Sequence, residues 1–308
     1  MTGKILSTGS CIPELVWDNN KLAEMVETND AWIQERTGIA KRHIAKDKTA
    51  TQMAIAAAQN AMDSCKELKP EEIDAIIVCT LAQEEPIPAL SCQVQAAIGA
   101  SNAFCYDLRA ACSGFVFAYN TCIAYMMSGM INNALIVGVE KLSDIVDWTD
   151  RGSCILFGDG AGAAIITKCE SEEGAYVMHC DGSRGHVLVC PHNGKILMDG
   201  QEVFKFAVRS VPDAVNEVLE KMNLAKEDVD YYILHQANKR IVESVAKRLG
   251  EPIEKFPMNL QEYGNTSSAS VPLLLDELFR NGTLKKGQRL IMAGFGAGLS
   301  WGASYITL

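Results

Sequence analysis

The 308-residue chain contains no apolar run approaching the roughly 20 residues that a helix needs to cross a bilayer. Its longest apolar stretches, such as Ala134 to Val139 and Ala161 to Ile166, end far short of that length, which excludes a membrane-spanning helix. No export signal is expected, because the apolar residues near the start are broken by Thr8, Gly9 and Ser10 where a signal peptide has an uninterrupted core. Paired cysteine spacing is also missing: the 11 cysteines are scattered, without a C-x-x-C pair or a Cys/His spacing that would enclose an ion. That argues against a metal site and a disulfide framework, and free thiols imply a reducing, cytoplasmic setting. Basic residues are in deficit, with 28 Lys and Arg against 38 Asp and Glu for a net charge of -10. Nonspecific attraction to nucleic acid is therefore unfavourable, and any anionic partner must find a local basic patch.

What is present is ample material for burial, 48% hydrophobic residues in a chain long enough for two domains of ordinary size. Two segments read alike, 70–78 and 226–234, each an acidic turn followed by a continuous apolar run of the kind that suits a strand buried on both faces. Each follows an amphipathic stretch that predicts a helix, Thr51 to Lys66 in one case and Val203 to Met222 in the other. A second pair of apolar runs, 134–138 and 289–293, repeats at nearly the same offset. Equal offsets point to a duplicated αβ unit and a layered α/β architecture in two related halves, 1–168 and 169–308, divided near Lys168 to Gly174. The first half carries an extra segment, Lys141 to Gly158, and insertions of this kind often become binding loops.

Cys112 lies where a strand pattern beginning at Phe104 runs into a helix pattern over Ser113 to Met127. A sulfur at a helix N-terminus meets unpaired amides and the positive end of the dipole, so a thiolate near neutral pH is expected, with Gly114 permitting close approach. His235 ends the apolar strand Tyr231 to Leu234, leaving a rigid element at the edge of a cleft. Asn265 stands in the small, polar run 263–270 that leads into a helix pattern over Val271 to Asn281. Alone, each has a bland reading: core thiol, structural histidine, helix cap. Together, a thiol, an imidazole and a carboxamide point to a nucleophilic site more than any one of them does.

In the motifs Ala111-Cys-Ser-Gly-Phe115, His235-Gln-Ala-Asn238, Tyr263-Gly-Asn-Thr-Ser267 and 294–302 (GFGAGLSWG), the chain resembles the beta-ketoacyl-acyl carrier protein synthase III family over nearly its whole length. The resemblance implies the thiolase fold, a duplicated five-layered αβαβα arrangement, a homodimer, and a Cys112, His235, Asn265 triad. It also implies decarboxylative condensation of an acyl-CoA primer, acetyl-CoA by default, with malonyl-acyl carrier protein at the start of type II fatty acid synthesis. Both are substrates, and no cofactor is implied. The backbone amides of Cys112 and Ala297 would form the oxyanion hole, and the apolar ring of Phe295 would favour departure of the carboxylate. By the same resemblance Trp32 and Arg151 would sandwich the CoA adenine, Thr28 and Arg36 would line the CoA entrance, and Asn238 would contact the pantetheine arm.

Lys239, Arg240, Lys247 and Arg248, with Lys205 and Arg36, form a basic cluster against the acidic whole, suited to an acidic carrier protein. Its bland reading is a solvated helix surface, which suits Lys247 and Arg248 better; Arg240 and Lys205 are the stronger candidates. The family's usual phenylalanine near the closed end of the acyl pocket, contributed across the dimer interface, is replaced here by Ile87, which leaves the primer open. Gln201 and Ala297 also depart from residues seen in many members. Rival readings are a related condensing enzyme of specialised metabolism with another primer or a CoA-borne extender, a cysteine hydrolase, and an acyl-binding scaffold. A hydrolase would not need the pair Trp32 and Arg151, and a scaffold would not need a reactive thiol.

Overall fold

A computed structural model describes residues 2–81 and 84–308. Two sheets form the frame. The first runs in the order β1 (Thr2–Cys11), β7 (Gly160–Cys169), β6 (Asn133–Glu140), β4 (Ala75–Cys79), β5 (Phe104–Leu108). The second runs β8 (Tyr176–Cys180), β13 (Ser300–Thr307), β12 (Arg289–Gly296), β11 (Tyr231–Leu234). In the first, β4 is parallel to β5 and β6 while β7 runs antiparallel to β6 and β1. In the second, β11 is parallel to β12 while β13 runs antiparallel to β12 and β8. Taken as β8-β13-β12-β11, the second sheet therefore repeats β1-β7-β6-β4 strand for strand and direction for direction.

The repeated acidic turns close the same corner twice. The Asp74 carboxylate accepts the Asn133 amide at 2.9 Å and the Asp230 carboxylate accepts the Arg289 amide at 2.7 Å, each pair separated by 59 residues. An aspartate just before one strand thus fixes the register of its parallel neighbour, and the apolar runs that follow, 75–79 and 231–234, are almost wholly buried.

Helices complete five layers. The outer face of the first sheet is covered by α3 (Ala50–Ser64) and α4 (Leu90–Ile98), that of the second by α7 (Gly200–Met222) and α8 (Lys239–Leu249). Between the sheets lie α5 (Gly114–Met127) and α10 (Ser270–Arg280), apolar on both sides because both sides are packed. This αβαβα stack is the thiolase fold. Small residues set its spacing: a Cβ on Gly9 of β1 would stand 2.3 Å from the Ala61 nitrogen of the alanine-rich α3. The helix bounds fall within a few residues of those the sequence patterns predict, and caps explain the shifts. Thr49 and Gln52 form a capping box that starts α3 at Ala50, and the Asp199 carboxylate, accepting from the amides of Gln201 and Glu202 at 3.1 Å, starts α7 at Gly200.

One flank carries smaller elements: the ribbon β2 (Leu15–Asp18) and β3 (Lys41–Ile44), α1 (Asn19–Ala23), α2 (Asp30–Thr37), α6 (Arg151–Cys154), the short pair β9 (Leu188–Val189) and β10 (Leu197–Met198), and α9 (Leu260–Tyr263). Leu22, Ile33, Val146, Phe157 and Ile196 join much of it in a separate apolar cluster. Beneath it Arg42, fully buried, donates to the carbonyls of Trp17 at 3.2 Å and Ile155 at 3.1 Å, tying the ribbon to the inserted segment 141–158. No described helix is long and apolar enough to cross a membrane, and among the described residues no group of three or more His, Cys, Asp or Glu could hold a metal ion.

Candidate active site

The two central helices begin in the same unusual way. Before α5, the tight turn Ala111–Ser113 opens with Ala111 at φ 46°; before α10, the turn Ser267–Ala269 opens with Ser267 at φ 49°. A left-handed conformation costs a residue with a side chain about 1–2 kcal/mol, and such strain persists only where surrounding contacts hold it. Here it turns each chain sharply off its approach, so that the residue after Ala111, Cys112, sits at the junction of the two halves. Behind it, Cβ atoms placed on Gly296 would stand 2.9 Å from the Cys112 Cβ and 3.0 Å from its nitrogen. Only glycine lets β12 approach the nucleophile this closely.

His235 follows β11 directly, its amide donating to the Ala293 carbonyl at 2.8 Å, so the imidazole leaves a fixed strand end. Its Nδ1 lies 2.6 Å from the Ser270 hydroxyl, which accepts the Gln236 amide at 3.3 Å. Burial depresses the imidazole to about 3, so the ring is neutral, and a hydroxyl donating to Nδ1 leaves Nε2 carrying the proton. The Asn265 backbone amide donates to the Leu156 carbonyl at 2.8 Å, and its Oδ1 accepts the Ser267 amide at 2.9 Å. With Oδ1 engaged, Nδ2 is the end left to donate. Cys112, His235, Asn265 and Phe295 line one cavity of about 1100 Å³, and the Phe295 ring stands edge-on to the imidazole with centroids 5.0 Å apart. Two neutral donors and a sulfur therefore face the same space.

Burial works against the expected thiolate. Cys112 is buried, and that burial, with the Glu140 carboxylate adding to it, pushes the thiol up to about 12 against the lowering influence of the Ser267 hydroxyl. Desolvation is a property of the packed site, invisible in the local sequence.

Trp32, Arg36 and Asn238 line the same cavity at its mouth, and Gln201 lies on its wall. The Arg151 guanidinium lies directly over the Trp32 ring, 5.0 Å from its centroid, with Arg36 at 5.6 Å, and Arg151 also donates to the Glu27 carbonyl at 3.2 Å. A purine enters between Trp32 and Arg151 only if the arginine swings outward. Asn238 caps α8, accepting from the Arg240 amide at 2.8 Å and donating to the Arg36 carbonyl at 3.1 Å. Thr28 stands four residues from Trp32, away from the cavity wall, and its buried hydroxyl has no hydrogen-bond partner among the described residues. Ala297 falls in the turn between β12 and β13, one residue past the wall at Gly296.

Lys205, paired with Glu202 at 2.8 Å, and Lys239, paired with Glu243 at 3.6 Å, stand at the starts of α7 and α8 beside the mouth. Arg240 lies over the ring of Phe204, a cavity residue, at 5.7 Å. Lys247 and Arg248 are in the last turn of α8, about 12 Å along the helix from its start, so the basic cluster divides into a mouth group and a distant pair. Ile87 is 85% exposed and away from this chain's own cavity. The residues that sequence reasoning missed are Ser267, Ser270 and Glu140. The two serines stood inside a motif already singled out, but their partners are 127 and 35 residues away.

Residues 106–182 match the family described as 3-oxoacyl-[acyl-carrier-protein (ACP)] synthase III, and residues 219–308 match that family's C-terminal part. The beta-ketoacyl-[acyl-carrier-protein] synthase III of Clostridium acetobutylicum is 44% identical over 317 aligned positions that span 97% of each chain. The chain belongs to the beta-ketoacyl-acyl carrier protein synthase III family. Among solved structures, the 3-oxoacyl-[acyl-carrier-protein] synthase III of Aquifex aeolicus VF5 superposes with a TM-score of 0.97 at 43% identity, covering 99% of this chain and 100% of that one. The synthase III of Pseudomonas aeruginosa PAO1 superposes at 0.95 with 36% identity, covering 100% and 98%. The synthase is an acyltransferase of thiolase fold, and its reaction is the condensation that initiates fatty acid biosynthesis.

Proposed function

We propose that Cys112 takes an acyl group from an acyl-CoA primer and that His235 and Asn265 then drive its condensation with malonyl-acyl carrier protein. In the first half-reaction the Cys112 sulfur attacks the thioester carbonyl, and the backbone amides of Cys112 and Ala297 receive the developing oxyanion as CoA leaves. In the second, Nε2–H of His235 and Nδ2–H of Asn265 donate to the malonyl thioester oxygen. Loss of carbon dioxide turns that oxygen into an enolate, and its carbon attacks the acyl-cysteine. Losing one such preorganised donor typically costs about 2.7–4 kcal/mol. Phe295 places an apolar edge where a carboxylate would otherwise be stabilised. The observation that carries this reading is the orientation of the two donors: Ser270 on Nδ1 and Ser267 on Oδ1 leave both N–H groups for the cavity that holds the sulfur.

Acetyl-CoA is the default primer. Trp32 and Arg151 would grip its adenine, with Thr28, Arg36 and Asn238 along the pantetheine route; Lys205, Lys239 and Arg240 would meet the acidic carrier protein. The division into a nucleophile-bearing half, 1–168, and a half bearing His235 and Asn265, 169–308, is supported by the strands, since each sheet is drawn from one side of that boundary or within a residue of it. A homodimer is supported by β5, an edge strand with Phe104 40% exposed, and by further exposed apolar side chains, Met127, Met130 and Ile87. That arrangement would carry Ile87 into the partner's acyl pocket. Eleven free cysteines suit a cytoplasmic enzyme.

The test is incubation with a panel of acyl-CoAs and malonyl-acyl carrier protein, with products and Cys112 adducts identified by mass spectrometry. Cys112→Ser abolishes acylation, whereas His235→Ala and Asn265→Ala keep acylation and lose condensation. Normal condensation in both latter variants would overturn the assigned roles.

A further inference from the structure

The two amides assigned to the oxyanion hole belong to different elements, Cys112 to the turn before α5 and Ala297 to the turn between β12 and β13. A preorganised hole needs both fixed relative to one another, because donors that must reorient during the reaction lose their advantage. Ala297 has a glycine on each side. Gly296 is demanded by the close approach to Cys112, and Gly298 has φ 140°, a conformation that residues with a side chain rarely adopt. Glycines on both flanks leave the peptide units of Ala297 free to rotate unless other groups hold them. Two buried hydroxyls stand where they can do so. Ser300 pairs with Gly296 across β12 and β13, and its hydroxyl donates to the Ala297 carbonyl at 2.9 Å. The Ser113 hydroxyl, on the residue after Cys112, lies 2.9 Å from the Ser300 hydroxyl and 3.0 Å from the Ser300 carbonyl. With the Ser300 proton committed to Ala297, the Ser113 proton serves Ser300. A chain of hydrogen bonds thus joins the turn that carries the nucleophile to the turn that carries Ala297.

Resting on the reading of Cys112 as the acylated nucleophile, we propose that Ser113 and Ser300 are positioning residues that hold the Ala297 amide in line with the Cys112 amide. Ser300 acts on Ala297 directly, and Ser113 acts through Ser300. The hole works twice per turnover. In acylation the S–C bond to Cys112 forms as the carbonyl electron pair moves onto oxygen; the pair returns as the C–S bond to CoA breaks, and the proton lost by Cys112 ends on the CoA thiol. In condensation the carbanion left by loss of carbon dioxide attacks the acyl carbon, the pair again moves onto oxygen, and its return expels Cys112 as a thiolate that takes a proton from solvent. Both oxyanions form on the same acyl carbonyl, so both steps depend on the hydroxyl pair.

Single-turnover acylation by acetyl-CoA, followed by intact-protein mass, tests this. Ser300→Ala slows acylation roughly 10²-fold and Ser113→Ala roughly tenfold, with the half-saturating concentration of acetyl-CoA little changed. Ser300→Thr keeps the hydroxyl on a residue suited to a strand and recovers most of the rate. Because Ser113 acts through Ser300, the double alanine variant is no slower than Ser300→Ala. Alkylation of Cys112 by iodoacetamide, which builds no oxyanion, proceeds at the parent rate in every variant. With acetyl-CoA labelled at its carbonyl carbon, the isotope-edited infrared band of the acyl-cysteine moves to higher wavenumber in Ser300→Ala, as a donor to its oxygen is misplaced. Parent-like acylation in both alanine variants overturns the assignment, and so do losses that multiply in the double variant or an infrared band that stays in place. Alkylation slowed as much as acylation also overturns it, since that is the mark of a general disturbance around the thiol. A parent thiol that iodoacetamide alkylates and acetyl-CoA leaves unmodified overturns the reading of Cys112 itself, and the role of the two serines with it.

Discussion

The Ser270 hydroxyl stands 2.6 Å from Nδ1 of His235, within hydrogen-bond distance of the imidazole nitrogen that faces away from the sulfur in the proposed mechanism. A hydroxyl that donates to Nδ1 while accepting from the Gln236 amide leaves Nε2–H as the donor toward the cavity. Ser270→Ala frees the ring to adopt either tautomer. Decarboxylation of the malonyl group is expected to slow about tenfold, the worth of a single hydrogen bond of about 1.4 kcal/mol, with acylation of Cys112 unchanged. Single-turnover assays of the two half-reactions check this. An equal loss in both would place Ser270 in general support of the site instead.

Two buried groups oppose one another in the dependence of stability on pH. His235 is depressed from 6.5 to about 3, so between those values only the unfolded chain binds its proton, and stability falls as pH falls. Glu140 is raised from 4.5 to about 7, so between those values only the folded chain holds its proton, and stability falls as pH rises. Each slope is about 1.4 kcal/mol per pH unit, and from pH 4.5 to 6.5 they cancel. Glu140→Gln removes one arm, and the difference in unfolding free energy between variant and parent is expected to change by about 3 kcal/mol across pH 4.5 to 7. Urea denaturation midpoints at a series of pH values measure it. A constant difference would show that Glu140 titrates alike in both states.

Gly296 presses on the nucleophile from β12. A methyl group there would stand 2.9 Å from the Cys112 Cβ and 3.0 Å from its nitrogen, and β12 is held by pairing on both sides. Overpacking of this kind costs about 1–3 kcal/mol, and the softest element is the strained turn that carries the thiol. Gly296→Ala is therefore expected to remain folded by circular dichroism while acylation of Cys112 falls roughly 10²-fold, the scale that a misplacement of about 1 Å produces. Near-normal acylation would mean that the strand yields.

The parts legible in the sequence are those encoded in contiguous residues. Buried strands announced themselves as apolar runs after acidic turns, and the matching corners at Asp74 and Asp230 are the reason those turns repeat. Cys112, His235 and Asn265 each stood at the end of a recognisable element. What escaped depends on pairs distant in the chain. Glu140 reads as the end of an apolar strand, and its proximity to Ser267 exists only after β6 and the start of α10 are packed together. The elevated thiol had the same cause, since a helix start is local and desolvation is not.

Distance along a helix also separates residues that adjacency in sequence groups together, and this bears on the carrier protein. Arg240 lies over Phe204 at the cavity mouth, whereas Lys247 lies two turns further on, about 10 Å away along α8. At physiological salt the screening length is about 8 Å, so a charge at position 247 is largely hidden from a carrier protein docked at the mouth. Arg240→Glu is expected to raise KM for malonyl-acyl carrier protein about tenfold and to flatten its salt dependence, with KM for the acyl-CoA primer little changed, because steering acts on encounter with the acidic partner. Lys247→Glu is expected to change KM less than about twofold, as an exposed charge away from the contact does. Steady-state kinetics at two ionic strengths compare them. Equal effects from the two variants would move the docking surface outward along α8, away from the mouth.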